Sequence, residues 1–243
     1  MTPIVDRFLK YVSFDTQSQP GAACFPSTEK QKVLGAYLVE EMKGIGIADA
    51  EMDEFGYVTG TVPSNVDFDV PVFGFISHMD TSPDVSGANV RPRIVRYEGG
   101  DLPLESGAVL ELSNFPFLER YRGQELIVTD GRTLLGADDK AGIAEIMAAC
   151  EKIIGSDMPH GKICIGFTPD EEIGMGAEKK PPLQAAVQYA EQLAERLQGY
   201  RVAFVHGKLK PKEKDEVIYS TCRLCSLHQQ TSFTAALKRK RQN

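Results

Sequence analysis

Two short apolar runs, "VPVFGFIS" at 70–77 and "GKICIGF" at 161–167, stop abruptly at polar and acidic side chains. Each is too short for a membrane span and is bounded by proline, glycine or acids, the pattern of a strand rather than of a helix. Five of the first seven residues of "VPVFGFISHMD" are apolar, as in a parallel strand buried on both faces. Helical patterns separate such runs. "DKAGIAEIMAACEKIIG" sets Ile143, Met147, Cys150 and Ile154 on one stripe and ends at Gly155. Pro3 to Tyr11 reads as a first helix with Thr2 as N-cap. A second starts at "STEKQ", where Thr28 and Gln31 can form a capping box. Its apolar face is Leu34, Leu38 and Met42, and Gly44 can end it. "GYVTGTV" is strand-like, and "ELIVTDGRTLLGADD" reads as a strand, an Asp130–Gly131 turn and a second extended piece. Strands alternating with amphipathic helices predict an α/β fold with a mostly parallel sheet flanked by helices.

The texture changes near residue 178. "PPLQAAVQYAEQLAERLQG" predicts a long helix with Leu183, Val187, Ala190, Leu193 and Leu197 on one side. "YRVAFVHG" predicts a strand, and "KPKEKDEVI" a short charged helix. No period of either kind is sustained after Tyr219, so the basic stretch 220–243 is expected to lack order. The formal net charge of −7 argues against a general binder of nucleic acid or membrane surfaces. No signal-peptide core opens the sequence and no stretch approaches a membrane span. A cytoplasmic chain is expected, with its five cysteines as reduced thiols.

Three strand ends carry metal-type side chains: His78 and Asp80 in "ISHMD", Asp138 and Asp139 in "GADDKAG" before a helix, Glu171 and Glu172 in "TPDEE". Ligands of open parallel sheets bind beyond the carboxyl ends of strands, so neighbouring strands would make these groups converge. An imidazole among carboxylates suits zinc or a similar divalent ion. A carboxylate can also bridge two ions roughly 3.5–4 Å apart. His78 and Asp80, two apart on a strand, share a face, so Asp80 could orient the His78 ring. Of Glu171 and Glu172, one can ligate while the other faces a bound water as general base. Each cluster alone has an ordinary structural reading: a polar end to a core strand, a helix N-cap, a solvated turn.

"RFLKYVSFDTQS", "PSTEKQ", "GFISHMDTSPDVSG", "TDGRTLLGADDKAGIAEIMAA" and "PHGKICIGFTPDEEIGMGA" together resemble, in collinear order over residues 1–177, the N-terminal part of the peptidase T family. These are tripeptide aminopeptidases among the two-zinc exopeptidases. The resemblance implies that His78 binds one zinc and that Asp80 orients it. It implies that Asp138 bridges both ions beside a non-proline cis peptide, that Glu171 is the general base and that Glu172 binds the second zinc. The implied reaction is release of the N-terminal residue from a short peptide, which would be the partner of the site.

The same resemblance implies a further carboxylate downstream, a histidine near the C-terminus of a longer chain, and an inserted lid domain. None of these motifs is found here, so each zinc would keep two protein ligands, against the usual three at a catalytic ion. Weak metal binding and impaired peptidase activity are therefore expected, with apolar sheet edges exposed. His206, and the group Cys222, Cys225 and His228, have metal-like placement but not a complete set; a surface histidine and free thiols are the simpler account. Residues 182–218 resemble part of the second motor domain of bacterial branch-migrating DNA helicases. No Walker A pattern accompanies them, and Lys208, Lys210, Lys212 and Lys214 fit phosphate contact or simply a solvated face. The expected organisation is thus an incomplete zinc-exopeptidase catalytic domain (1–178), a helicase-like helix–strand–helix appendage (179–219) and a tail (220–243). Alternatives to an aminopeptidase are a non-catalytic chimera from a joined reading frame and a nucleic-acid-associated protein.

Overall fold

Helices supply one layer of the molecule, and their apolar spacing explains which sides they bury. The computed structural model describes residues 3–174 and, as backbone, two later strands. Helix α1 is Ile4–Val12, α2 is Lys30–Gly44 and α3 is Ala137–Ile154. Leu34, Leu38 and Met42 of α2 are fully buried, as are Ile143, Met147 and Cys150 of α3, so both predicted stripes face the core. Buried Arg7 of α1 ties the three helices together. Its Nε donates to Glu41 at 2.7 Å and its Nη1 to Glu151 at 2.9 Å, while the Tyr11 hydroxyl donates to Glu41 at 2.7 Å.

The strands are β1 Glu51–Met52, β2 Val58–Val62, β3 Phe73–His78, β4 Arg93–Arg96, β5 Leu102–Pro103, β6 Val109–Leu110, β7 Glu125–Val128 and β8 Ile163–Thr168. The main sheet has the order β1-β2-β8-β3, with β3 and β8 parallel and the other two pairings antiparallel. The sheet is therefore mixed, not mostly parallel. Antiparallel pairs β4–β7 and β5–β6 lie apart from it. Register puts Val58, Val62, Ile163, Ile165 and Phe167 on one face, and these join the buried residues of the helices in a single core. Gly60 lies on that face too, and a Cβ there would sit 2.5 Å from Met42 Cε and 2.8 Å from Ile47 Cγ2.

Burial of β3 on both faces, expected from its composition, does not occur. Among the described residues it is an edge strand, and Phe73, Phe75 and Ile76 are exposed while only Ser77 and His78 are buried. Two smaller expectations also change. The Thr28 and Gln31 side chains do bond to each other, but α2 starts after Thr28 and Gln31 is directed to Asp170, so no capping box forms. Helix α2 ends at Gly44, as expected, and the chain turns at Gly46, whose φ of 107° suits glycine. The Asp130–Gly131 turn exists, with Asp130 accepting from the Arg132 amide and guanidinium, but it does not close a hairpin: β7 pairs with β4 instead.

No helix among the described residues is long and apolar enough to cross a membrane. Strands β9 Tyr200–Ala203 and β10 Ala236–Arg239 pair antiparallel. The first falls where the sequence predicts a strand, and the second within the stretch expected to lack order. Thr2, the predicted long helix, the other residues of the helicase-like segment, His206, Cys222, Cys225 and His228 lie outside the described residues.

Candidate metal centre

Parallel pairing of β3 with β8 sets His78 beside Thr168, so both strands deliver their carboxyl ends to one place. The Met79 amide extends the ladder to the Thr168 carbonyl at 2.8 Å, and Asp80 follows, fully buried. Its carboxylate receives the start of the next element: Oδ1 accepts the Glu171 amide at 3.0 Å and Oδ2 the Glu172 amide at 3.1 Å. Glu171–Ile173 is one turn of 3-10 helix, and Asp80 satisfies its first free N–H groups.

Asp80 also faces the imidazole. His78 Nδ1 lies 3.1 Å from the Asp80 carbonyl and 3.3 Å from its Oδ1. Both neighbours are acceptors, so Nδ1 carries the proton and Nε2 is turned outward. There it meets Asp138 Oδ1 at 3.0 Å and Glu171 Oε2 at 3.8 Å. Burial opposes a charge on His78, but the bond to Asp80 and the charges of Asp80, Glu171 and Asp138 outweigh it, pushing the imidazole up to about 9. Glu171 and Glu172 are both raised, first by burial and then by the acidic company of Asp80 and Asp138.

Asp138 comes from the second cluster, which, against expectation, does not sit at a strand end. It opens α3 after the loop from β7. The Asp138–Asp139 peptide is cis, as the resemblance implies. The two aspartates have separate tasks. Asp139 is fixed: its Oδ2 accepts from Ser77 Oγ at 2.6 Å and its Oδ1 from the Gly142 amide at 3.2 Å, an N-cap for the regular part of α3. A Cβ on Gly142 would collide with Asp139 Oδ1 and Ser77 Oγ, so the third residue after the cap has to be glycine. Asp138, 86% exposed, presents its carboxylate to solvent and to His78.

Several contributors escaped the sequence reading. Asp170, left-handed at φ 55° and buried, points away from the cluster and accepts from Ser27 N, Ser27 Oγ and Gln31 Nε2. Lys140, also buried, donates from Nζ to the Phe14 carbonyl at 2.8 Å, and burial lowers its ammonium to about 8. Each partner is more than a hundred residues away, so spacing gives no hint; the only local signal was the abrupt crowding of acid at 170–172.

The contact between His78 Nε2 and Asp138 Oδ1 is favourable when the imidazole carries its second proton, which its raised value of about 9 allows. With Nδ1 protonated, Nε2 and the carboxylate oxygen would set lone pair against lone pair at 3.0 Å unless a proton or a cation intervenes. Two ligands of one tetrahedral ion, with bonds of about 2.0–2.1 Å, are about 3.3 Å apart, close to that separation. Among the described residues no group of three or more His, Cys, Asp and Glu side chains is closed around one point. Two donors are in place, and the donor chemistry, nitrogen with carboxylate oxygen, fits a divalent cation.

No family model matches the chain. It is similar to peptidase T of Halothermothrix orenii, 55% identical over 183 residues, which is 74% of this chain and 45% of that protein. Peptidase T of Aliivibrio fischeri is 56% identical over 180 residues, 73% of this chain and 44% of the relative. The chain thus spans less than half the length of these curated relatives. Among solved structures it is similar to a tripeptidase from Staphylococcus aureus, with a TM-score of 0.48 and 25% identity over 70% of this chain and 37% of the other. Aminopeptidase PepT from Bacillus cereus gives the same four values.

Proposed function

We propose that this chain carries the metal-binding and water-activating half of a peptidase T-type, zinc-dependent aminopeptidase that releases the N-terminal residue of tripeptides. One observation carries the reading: His78 Nε2 and Asp138 Oδ1 stand 3.0 Å apart, with Glu171 Oε2 at 3.8 Å from the same nitrogen, so a divalent cation could take the place that the second imidazole proton fills without it. Similarity above 50% identity to several peptidase T proteins supports the substrate class.

The residues divide the work. His78 and Asp138 would hold one ion, and Glu172 with Asp138 would hold a second. Asp80 keeps the proton on His78 Nδ1, so that Nε2 offers a lone pair. Zinc, when bound, polarises the scissile carbonyl and acidifies a water. Glu171 would serve as the base that accepts a proton from the attacking water and passes it to the leaving amine. Its burial and acidic neighbours already raise its proton affinity, as a general base working near neutrality needs.

The test pairs zinc titration with tripeptide hydrolysis. Zinc uptake by the chain is expected to fall at least tenfold in Asp138→Asn. Glu171→Gln should keep the metal and lose roughly 10²–10⁴-fold in turnover, the usual weight of a general base. Unchanged turnover in Glu171→Gln would reject the assignment of that residue.

A further inference from the structure

We propose that Asp170 is a positioning residue: gripped by Ser27 and Gln31, it seats the Glu171–Glu172 turn so that Asp80 can take both backbone amides. The inference rests on the metal-centre reading above for its functional meaning, but on separate contacts for its geometry.

Asp170 is an acid that cannot serve the site directly. Both its carboxylate oxygens are engaged on the far side of the turn, by Ser27 N and by Ser27 Oγ with Gln31 Nε2. Its own amide donates to Gln31 Oε1 at 3.0 Å. Gln31 therefore binds Asp170 at two points, donor to side chain and acceptor from backbone, and it is itself fully buried in the first turn of α2. On the other side, Asp80 binds the amides of Glu171 and Glu172. The turn is thus held between two buried carboxylates. Asp80 is anchored to β3, and Asp170 is anchored to α2 and the loop before it. The left-handed backbone at Asp170 reverses the chain between the two anchors. If the α2 anchor is lost, Asp80 is left to hold the amides of Glu171 and Glu172 while it also serves His78.

The pairing is specific enough to be exchanged. Asp170→Asn keeps the shape but presents an NH₂ group to donors. Asp170→Asn combined with Gln31→Glu swaps the carboxylate and the amide, so that the new amide at position 170 donates to the new carboxylate at position 31 and still accepts from Ser27. In the full 243-residue chain, amide hydrogen exchange would be followed at Glu171 and Glu172, with Leu38 and Met147 as core controls. Asp170→Asn should speed exchange at 171 and 172 at least tenfold with the controls unchanged, and the double exchange should restore protection. No acceleration at 171 and 172, or equal acceleration at the controls, overturns the proposal. Should Asp170→Asn not fold, Ser27→Ala, which removes one donor, carries the same measurement. Co²⁺ supplies the second readout, through its visible absorption. Asp170→Asn should weaken Co²⁺ binding at least tenfold and alter the band; equal affinity and an identical band overturn the positioning role. A wild-type chain that takes up no Co²⁺ refutes the metal centre instead, while the exchange result still decides whether Asp170 seats the turn.

Discussion

Two adjacent aspartates show how identical side chains part company. Asp139 caps α3 and accepts from Ser77, whereas Asp138 projects into solvent beside His78. Asp139→Ala should therefore lower stability by about 1 kcal/mol, the typical weight of an N-cap, in urea denaturation. Asp138→Ala, at a side chain 86% exposed, should leave the fold intact and abolish metal uptake. The thiols differ in the same way. Burial pushes Cys150 up to about 11, while Cys24 is exposed. At pH 8, iodoacetamide should label Cys24 in the native protein and spare Cys150 until the chain unfolds, as peptide mass mapping would show. Of this, the sequence displayed the residue types and their clustering. It could not display that Asp170 turns its back on its neighbours, because Ser27 and Gln31 are 143 and 139 residues away.

Elements were easier to read where their partners are near. The stripes of α2 and α3 follow from helical spacing alone, and both are buried as that spacing requires. The direction and neighbours of β3 depend on β8, some ninety residues later, so an apolar strand could be found while its edge position could not. Contacts between elements make sharp predictions. Arg7→Met leaves Glu41 and Glu151 without their shared guanidinium contacts and should cost about 3 kcal/mol, measurable by urea denaturation. Gly60→Ala forces Met42 and Ile47 away from β2 and should cost about 1–3 kcal/mol, seen as a lower melting temperature with an unchanged fold.

At the scale of the molecule, the described helices cover one face of the main sheet, and among the described residues β3 pairs with no strand on its outer side. Ile76, 60% exposed on that strand, offers apolar surface along a sheet edge. The chain should associate with itself as its concentration rises, and Ile76→Lys should reduce that association in sedimentation velocity without changing the circular dichroism. The tie made by Arg7 has a consequence in time. Arg7 and Glu151 lie 144 residues apart, and ribosomes add about 5–20 residues per second. The first helix therefore emerges about 7–30 s before its last partner is made. Through that interval the guanidinium of the first helix has Glu41 to hold but not yet Glu151, so the three-helix tie closes only once the third helix has been made.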